Sequence, residues 1–584
     1  MKCQNCDSKC EGTHKLEAKY FRYSVAGINT GTIEVCSTCN EFYLVRKGKL
    51  AAIVNSSSDK RVIVAGPGTG KTFTFKEVIR SFTSPRSVLI FTLINNLADD
   101  LRTDFHDEKY EAVEVTTFHG YCKRLLYSKL GVDSIYFPEL PQLIAQDAGL
   151  LGYKWTIKDF SEAFADIAGD SPALKFFLKR ATFYNAAGHG DSVYKVYTHY
   201  IKNKETVPAY GLVIADEYQD FNKLEASLVR LLAEKSPILI AGDDDQAVYG
   251  FRKASTKYIR DLYSDSSYEN FNLPYSSRCP EVLVEATKKI ISKATDQGLM
   301  GDRIAGKDFL SYWPDKFMYS NKYAKISVAH CSYDKTAQLL VKEHIEKIVA
   351  DENLTGEEEE IQFLIIGAES QHRLDSLAMY LSSSLDTSKY EIVVKNTNSE
   401  KKIHFGYRLL SKDPRSSLGW RIIVDSDPPK DLIKIIRASY EENIALRDLL
   451  SEEYVDVHLQ RMEELLSSSE DSSIDNMDSP QKVRVRLTNF LGSKGLSALH
   501  VLIYEFHDDV LPKNGSQADE GDVCRLVVAL TRAKRSCLIV TFKVFSRAYG
   551  RSLDKKSSML KMIPTEMLSI RNYKITKGNL EIIS

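Results

Sequence analysis

Several things are missing from this 584-residue chain, and each absence excludes something. No apolar run is long enough to cross a bilayer, and Met1-Lys2-Cys3 does not open a secretory leader. A cytoplasmic protein with mostly reduced cysteines is therefore expected. There is no excess of positive charge either. Lys and Arg number 78 against 79 Asp and Glu, for a formal net charge of -1. A globally basic nucleic-acid binder is excluded, so any such surface must be a local groove. No repeat of solenoid period is present. What remains is a globular composition long enough for several domains.

The chain is organised around Gly66-Pro67-Gly68-Thr69-Gly70-Lys71-Thr72. The apolar run Val62-Ile63-Val64-Ala65 before it reads as a buried strand, and Phe73 to Ile79 after it can continue as a helix. Strand, glycine-rich loop and helix at this spacing make a phosphate-binding loop. Glycines Gly66, Gly68 and Gly70 let backbone N–H groups curl around an anion, with Thr69 between them, and the helix N-terminus adds its positive dipole end. Lys71 is placed to reach the β and γ phosphates of ATP, and the Thr72 hydroxyl to ligate Mg²⁺. Farther on, Val213-Ile214-Ala215 delivers Asp216 and Glu217 at a strand end. Asp216 suits Mg²⁺, and Glu217 suits orienting and deprotonating the attacking water.

Cys3 and Cys6 are followed by Cys36 and Cys39, two Cys-x-x-Cys knuckles with the spacing of tetrahedral Zn²⁺. The segment is too short to bury much core, so a metal staple is reasonable, and four thiolates make it structural rather than catalytic. Cys10 and His14 could compete for a ligand place. A hairpin is expected between the knuckles, from residues 18–25 and 31–35. From Lys49 to about Asp220, strands alternate with helices, the pattern of a parallel sheet, with strands at 87–92, 112–117, 211–215 and 237–241. A second alternating region begins after Leu273, with strands at 325–329, 361–367, 483–487, 501–504 and 537–540. Helical stretches after Gly120 and from about Lys401 read as insertions, and the serine-rich run 467–473 as a solvated loop.

Further motifs in order resemble those of the UvrD/Rep/PcrA group of superfamily 1 helicases. They are Thr92 to Ala98, Thr117 to Cys122, Gly242-Asp243-Asp244-Asp245-Gln246 through Arg252, Tyr275 to Pro280, Gly492 to Ser497, and Arg525 to Lys534. The resemblance implies an α/β protein with two RecA-like parallel-sheet domains, helical insertions and ATP in the cleft between the lobes. It assigns 1–48 to the zinc module, 49–120 with 210–272 to the first domain, and 121–209 to its insertion. It assigns 273–400 with 483–584 to the second domain, and 401–482 to a shortened second insertion. It further implies that Gln246 senses the γ-phosphate, that Arg278 and Arg532 act as arginine fingers from the opposite lobe, and that Gly495 lies on the nucleotide. Thr92, Phe118, His119, Tyr249 and Phe251 are the implied contacts to single-stranded DNA.

The departures fall on the nucleoside. No glutamine occurs between Gln4 and Gln142, where the family places its adenine reader. Ser277 stands where a stacking Tyr is usual, although Tyr275 could substitute, and Ser497 stands where a Glu touches the ribose. Leu93 replaces a stacking Phe on the DNA side. An active NTPase with weak base discrimination is expected. The implied activity is ATP-driven 3′→5′ translocation on single-stranded DNA with unwinding. The alternative is a DNA-stimulated regulatory subunit of a repair or anti-phage nuclease complex, because the stretch after Ser546 is too short for a nuclease domain.

Overall fold

The computed structural model describes residues 3, 12–17, 32–82, 87–92, 98, 102, 113–128, 134–312, 319–356, 361–368, 372–394, 400–467, 482–546 and 551–583. Its two RecA-like α/β units are each built on a parallel sheet. The first sheet runs Glu269–Leu273, Lys60–Ala65, Ile238–Gly242, Leu212–Ala215, Val88–Thr92, Val113–Thr117, with every neighbouring pair parallel. Its central strands read as unbroken apolar runs because both faces are covered. Successive side chains still alternate. Ile63 and Ala65 pack with Phe75 and Val78 on one face, while Val62 and Val64 pack with Val213 and Ile240 on the other.

The second sheet runs Tyr390–Val394, Val483–Asn489, Ile361–Gly367, Ala498–Ile503, Ala533–Phe542, Ile326–Cys331, Leu568–Thr576, Asn579–Ile583. It is parallel except for the closing hairpin between its last two strands. Every strand named from the apolar runs forms, with ends shifted by a few residues. Within the two large sheets, three features were not expected: the strand Glu269–Leu273, the strand Tyr390–Val394 and the C-terminal hairpin. All lie toward sheet edges, where one side faces water and the apolar signal thins. Glu269-Asn270-Phe271-Asn272 illustrates this, since its asparagines read as a loop.

At the N-terminus, His14–Glu17 pairs antiparallel with Thr32–Val35, His14 opposite Val35. The first strand of the hairpin thus precedes the expected 18–25, which lies outside the described residues. Helix α1, Ser37–Val54, follows and runs unbroken through the expected junction at 48/49. Its N-terminal half packs Cys39 and Tyr43 with Cys3, Ile33 and Val35, whereas Ile53 enters the core of the first sheet.

The two helical insertions share one core, with Leu143 and Phe177 from the first and Trp420 and Ile436 from the second. At its centre is Asp147, fully buried. Arg421 Nε donates to its Oδ1 at 2.8 Å, and Arg180 Nε to its Oδ2 at 2.8 Å. The Tyr184 hydroxyl donates to Oδ2 at 2.5 Å, and Arg180 also reaches Ser439 Oγ at 3.2 Å. The expected loop after Ser467 lies outside the described residues. Among those residues, no helix is long and apolar enough to cross a membrane.

Candidate nucleotide cleft and adjoining sites

The phosphate loop leaves the strand Lys60–Ala65 and enters helix α2, Lys71–Arg80. Gly68 and Gly70 have φ of 69° and 95°, left-handed values that glycine adopts without strain. Thr69 Oγ1 donates to Gly66 O at 2.9 Å and holds the turn. Lys71 Nζ lies 3.4 Å from Ala65 O and 3.3 Å from Glu217 Oε1. Thr72 follows on the first turn of α2.

Asp216 and Glu217 leave the strand Leu212–Ala215 on the same edge of the sheet. Glu217 takes a φ of 55°, a strained value for a side-chain-bearing residue, and its N–H donates to Asp216 Oδ1 at 2.9 Å. Burial, then repulsion from Glu217, pushes the Asp216 carboxyl up to about 7. Burial also opposes ionisation of Glu217, but Lys71 and Lys494 outweigh it and hold that carboxyl well below its ordinary range. The pair therefore divides: Glu217 favours its ionised form and Asp216 its protonated form.

Gln219 ties this edge to the next strand. Its Nε2 donates to Glu217 Oε2 at 2.7 Å, and its Oε1 accepts from Asp243 N–H at 3.0 Å. Gln246 Nε2 donates to Asp243 Oδ2 at 2.8 Å. The three aspartates beside it are neutralised from the other side. Lys307 Nζ lies 2.8 Å from Asp243 Oδ1 and 2.7 Å from Asp245 Oδ2, and also bonds Asp244. Arg303 and Arg260 add pairs to Asp245 and Asp244 at 2.8 and 2.9 Å.

The second unit closes the cleft. Arg532, at the start of the strand Ala533–Phe542, is buried and donates from Nη2 to Gln246 Oε1 at 3.1 Å. Its other donors hold Val528 O at 2.9 Å and Leu496 O at 3.3 Å. Burial, then repulsion from Arg278, lowers its pKa to about 9. Lys494 reaches Glu217 Oε2 at 3.2 Å and Gln246 O at 3.1 Å, and bonds Asp220. Burial brings Lys494 down to about 8 despite Glu217. The turn after it is made at Gly495, φ 79°. Arg278 lies against the phosphate loop itself. A Cβ on Gly68 would meet Arg278 Cβ at 2.3 Å, Ser277 N–H donates to Gly68 O at 3.0 Å, and Ser276 Oγ donates to Pro67 O at 2.8 Å. Arg278 Nη1 reaches Thr531 O at 3.5 Å, beside Arg532.

All the residues expected to act on phosphate thus surround one cleft. Lys494, Gln219, Asp220 and Lys307 join them without having been singled out. Gln219 and Asp220 lie within three residues of Glu217, and Lys494 lies in the stretch Gly492 to Ser497, so polar groups next to recognised motifs are the available signal. Lys307 lies in an unremarkable turn, Ala305-Gly306-Lys307, and no local pattern marks it.

The expected DNA contacts divide. Thr92 and Phe118 are fully buried. Phe118 packs its ring against Phe91 at 5.0 Å and Phe221 at 5.4 Å. The side chain of Phe251 lies outside the description. His119 is largely buried, 3.8 Å from Glu225 Oε1, and lines a cavity of about 800 Å³ with Lys123, Tyr136, His189 and Arg252. Burial, then Arg252, keeps its imidazole well below its ordinary pKa and hence neutral. Tyr249 is half-buried between the Arg252 guanidinium, 6.0 Å from its ring centre, and Lys494 Nζ at 5.5 Å.

At the N-terminus the sulfurs of Cys3, Cys36 and Cys39 lie within 4.8 Å of one another, all buried. Cys36 caps α1 and Cys39 occupies its first turn. Three converging thiols fit a thiophilic metal such as Zn²⁺. His14 is exposed and outside this cluster, while Cys6 and Cys10 lie outside the described residues.

Comparison with known proteins agrees with this arrangement. The family described as AAA domain matches residues 49–252. The ATP-dependent DNA helicase PcrA of Staphylococcus aureus is 24% identical over 291 residues, covering 42% of this chain and 39% of that protein. PcrA of Staphylococcus epidermidis is 21% identical over 451 residues, covering 68% and 59%. The chain spans less than two thirds of the length of these relatives. In sequence, then, the chain is similar to the UvrD/PcrA-like superfamily 1 helicases.

Proposed function

We propose that this chain hydrolyses ATP in the cleft between its two units and uses closure of that cleft to move 3′→5′ along single-stranded DNA, unwinding duplex ahead of it. The observation that supports this best is the Arg532 to Gln246 hydrogen bond of 3.1 Å, because it joins the second unit to the edge that carries Glu217. Lys71 and the loop amides bind the β and γ phosphates. Thr72 and Asp216 hold Mg²⁺, which when bound neutralises charge on the phosphates. Lys71 and Lys494 both grip Glu217. Phosphates that draw Lys71 away release one oxygen of that carboxylate to accept the proton of the attacking water, while ADP departs with the electron pair of the cleaved bond. Arg278 and Arg532 stabilise charge on the transferring phosphoryl group. On this reading the domains run 49–120 with 210–272 and 273–400 with 483–584. Tyr249, His119 and the cavity with Lys123, Tyr136 and Arg252 offer rings and cations to a single strand. The cysteine cluster holds structural Zn²⁺.

The test is ATPase activity with and without single-stranded DNA, for wild type and Lys71→Ala. Stimulation by DNA that vanishes in the variant supports the proposal, and no hydrolysis by wild type overturns it. A second reading, a DNA-stimulated NTPase subunit of a repair or defence nuclease assembly, draws support from the shared core of the two insertions. Asp147 pins the second insertion to the first. DNA-stimulated ATPase without strand displacement favours that reading.

A further inference from the structure

The nucleoside side of the cleft lost its usual readers, yet the structure fills that neighbourhood from an unexpected source. Phe42 and Arg46 are one turn apart on α1, the helix whose first turn carries Cys39. The Phe42 ring meets Tyr275 at 5.5 Å and Tyr312 at 5.9 Å, edge to face, and Tyr275 and Tyr312 are 6.0 Å apart. The Arg46 guanidinium lies over Tyr312, 4.8 Å from the ring centre. Its Nη2 is 3.5 Å from the position a Cβ on Gly70 would take, at the N-terminus of α2. Tyr275 is tied to the phosphate loop through its neighbours Ser276 and Ser277. The buried Ser277 hydroxyl has no hydrogen-bond partner among the described residues. Phe73, two residues beyond Lys71, packs against the cysteine core.

We propose that the cysteine module is part of the nucleotide site: α1 carries Phe42 and Arg46 to the phosphate loop, where Phe42 and Tyr275 receive the base of a nucleoside triphosphate and Arg46 its phosphate tail, and the metal held by the cysteines fixes the half of α1 that presents them. This rests on the reading of the cleft as a nucleotide site. Aromatic stacking tolerates any base because every base has a π-face, so this wall takes purine and pyrimidine triphosphates alike. The far end of α1 is anchored independently by Ile53 in the core of the first sheet and by Arg61, whose Nη1 donates to Ile53 O at 3.2 Å. Only the Phe42 and Arg46 half therefore depends on the thiols.

The test uses the full-length protein, with binding of mant-ATP and of inorganic tripolyphosphate measured side by side. Phe42→Ala is expected to weaken mant-ATP about tenfold and leave tripolyphosphate unchanged, with Phe42→Tyr restoring affinity. Arg46→Ala is expected to weaken both about tenfold. Removal of metal with a zinc-selective chelator is expected to reproduce both losses, and added Zn²⁺ to reverse them. Thermal unfolding of each variant separates a local loss from misfolding. Unchanged mant-ATP affinity in Phe42→Ala and Arg46→Ala, or after chelation, overturns the proposal while leaving the nucleotide reading intact. Failure of wild type to bind either probe overturns both.

Discussion

Two of the clusters of buried charge among the described residues are in opposite electrostatic states. In the insertions, Asp147 is matched: each oxygen takes an arginine, and burial of Arg180 and Arg421 is outweighed by their anionic partner and by Tyr184, so both pKa values rise. In the cleft the charges crowd without balancing. Burial lowers Lys494 to about 8 and Arg532 to about 9, and raises Asp216 to about 7. The first cluster is complete without a ligand. The second holds cations that gain from an added polyanion and a carboxylate that gains from an added metal ion. The difference separates a structural tie from a site built to be filled.

The comparison breaks most visibly at Lys71. Lys71→Ala is expected to lower the ATPase rate by about 10²–10³, the range for removing one preorganised charge at a phosphoryl transition state, with little change in unfolding midpoint. Steady-state hydrolysis and denaturant unfolding check the two halves. Asp147→Ala is expected to do the converse. It strands two buried arginines and costs about 3–5 kcal/mol, read by urea unfolding of the insertion core, with activity per folded molecule retained. Equal loss of stability in both variants would erase the distinction drawn here.

A finer test lies in proton uptake. Lys494 is depressed to about 8, so near that pH it is only partly charged. A phosphate tail raises its pKa, so binding draws a proton and affinity falls as pH rises past about 8, by at most about tenfold per unit. The same depression means that ionised Lys494 destabilises the fold. Its stabilising contribution is full above the unfolded value and lost as pH falls through about 8. Calorimetry in buffers of different ionisation enthalpy shows uptake that disappears in Lys494→Met. The smallest expected effect is in base choice: ATP, GTP and CTP should be hydrolysed within about tenfold of one another, because hydrogen-bonded readout of the base is what separates nucleotides strongly. A hundredfold preference for ATP would contradict this.

The phosphate loop and the Asp216-Glu217 pair were legible because each is a local pattern: a strand end, a glycine turn and the first turn of a helix. Lys494 and Lys307 were not, because their partners are hundreds or tens of residues away in sequence and no local rule encodes such pairing. The DNA-contact role of Phe118 came from the family likeness alone. In the structure it opens the helix Phe118–Ser128, where Tyr121, Cys122 and Leu125 follow at helical spacing and are buried with it. That periodicity is carried by the residues themselves. The hairpin at the C-terminus was missed because its strands are mostly exposed, so alternation is weak.

One contact has a consequence for coupling. Gly68 has no room for a side chain, because the Arg278 Cβ stands 2.3 Å from where its own Cβ would be and its φ of 69° disfavours one in any case. A methyl group there would act as a doorstop against the segment that carries Arg278. On the proposed reading, Gly68→Ala is expected to hold its nucleotide while hydrolysing it slowly.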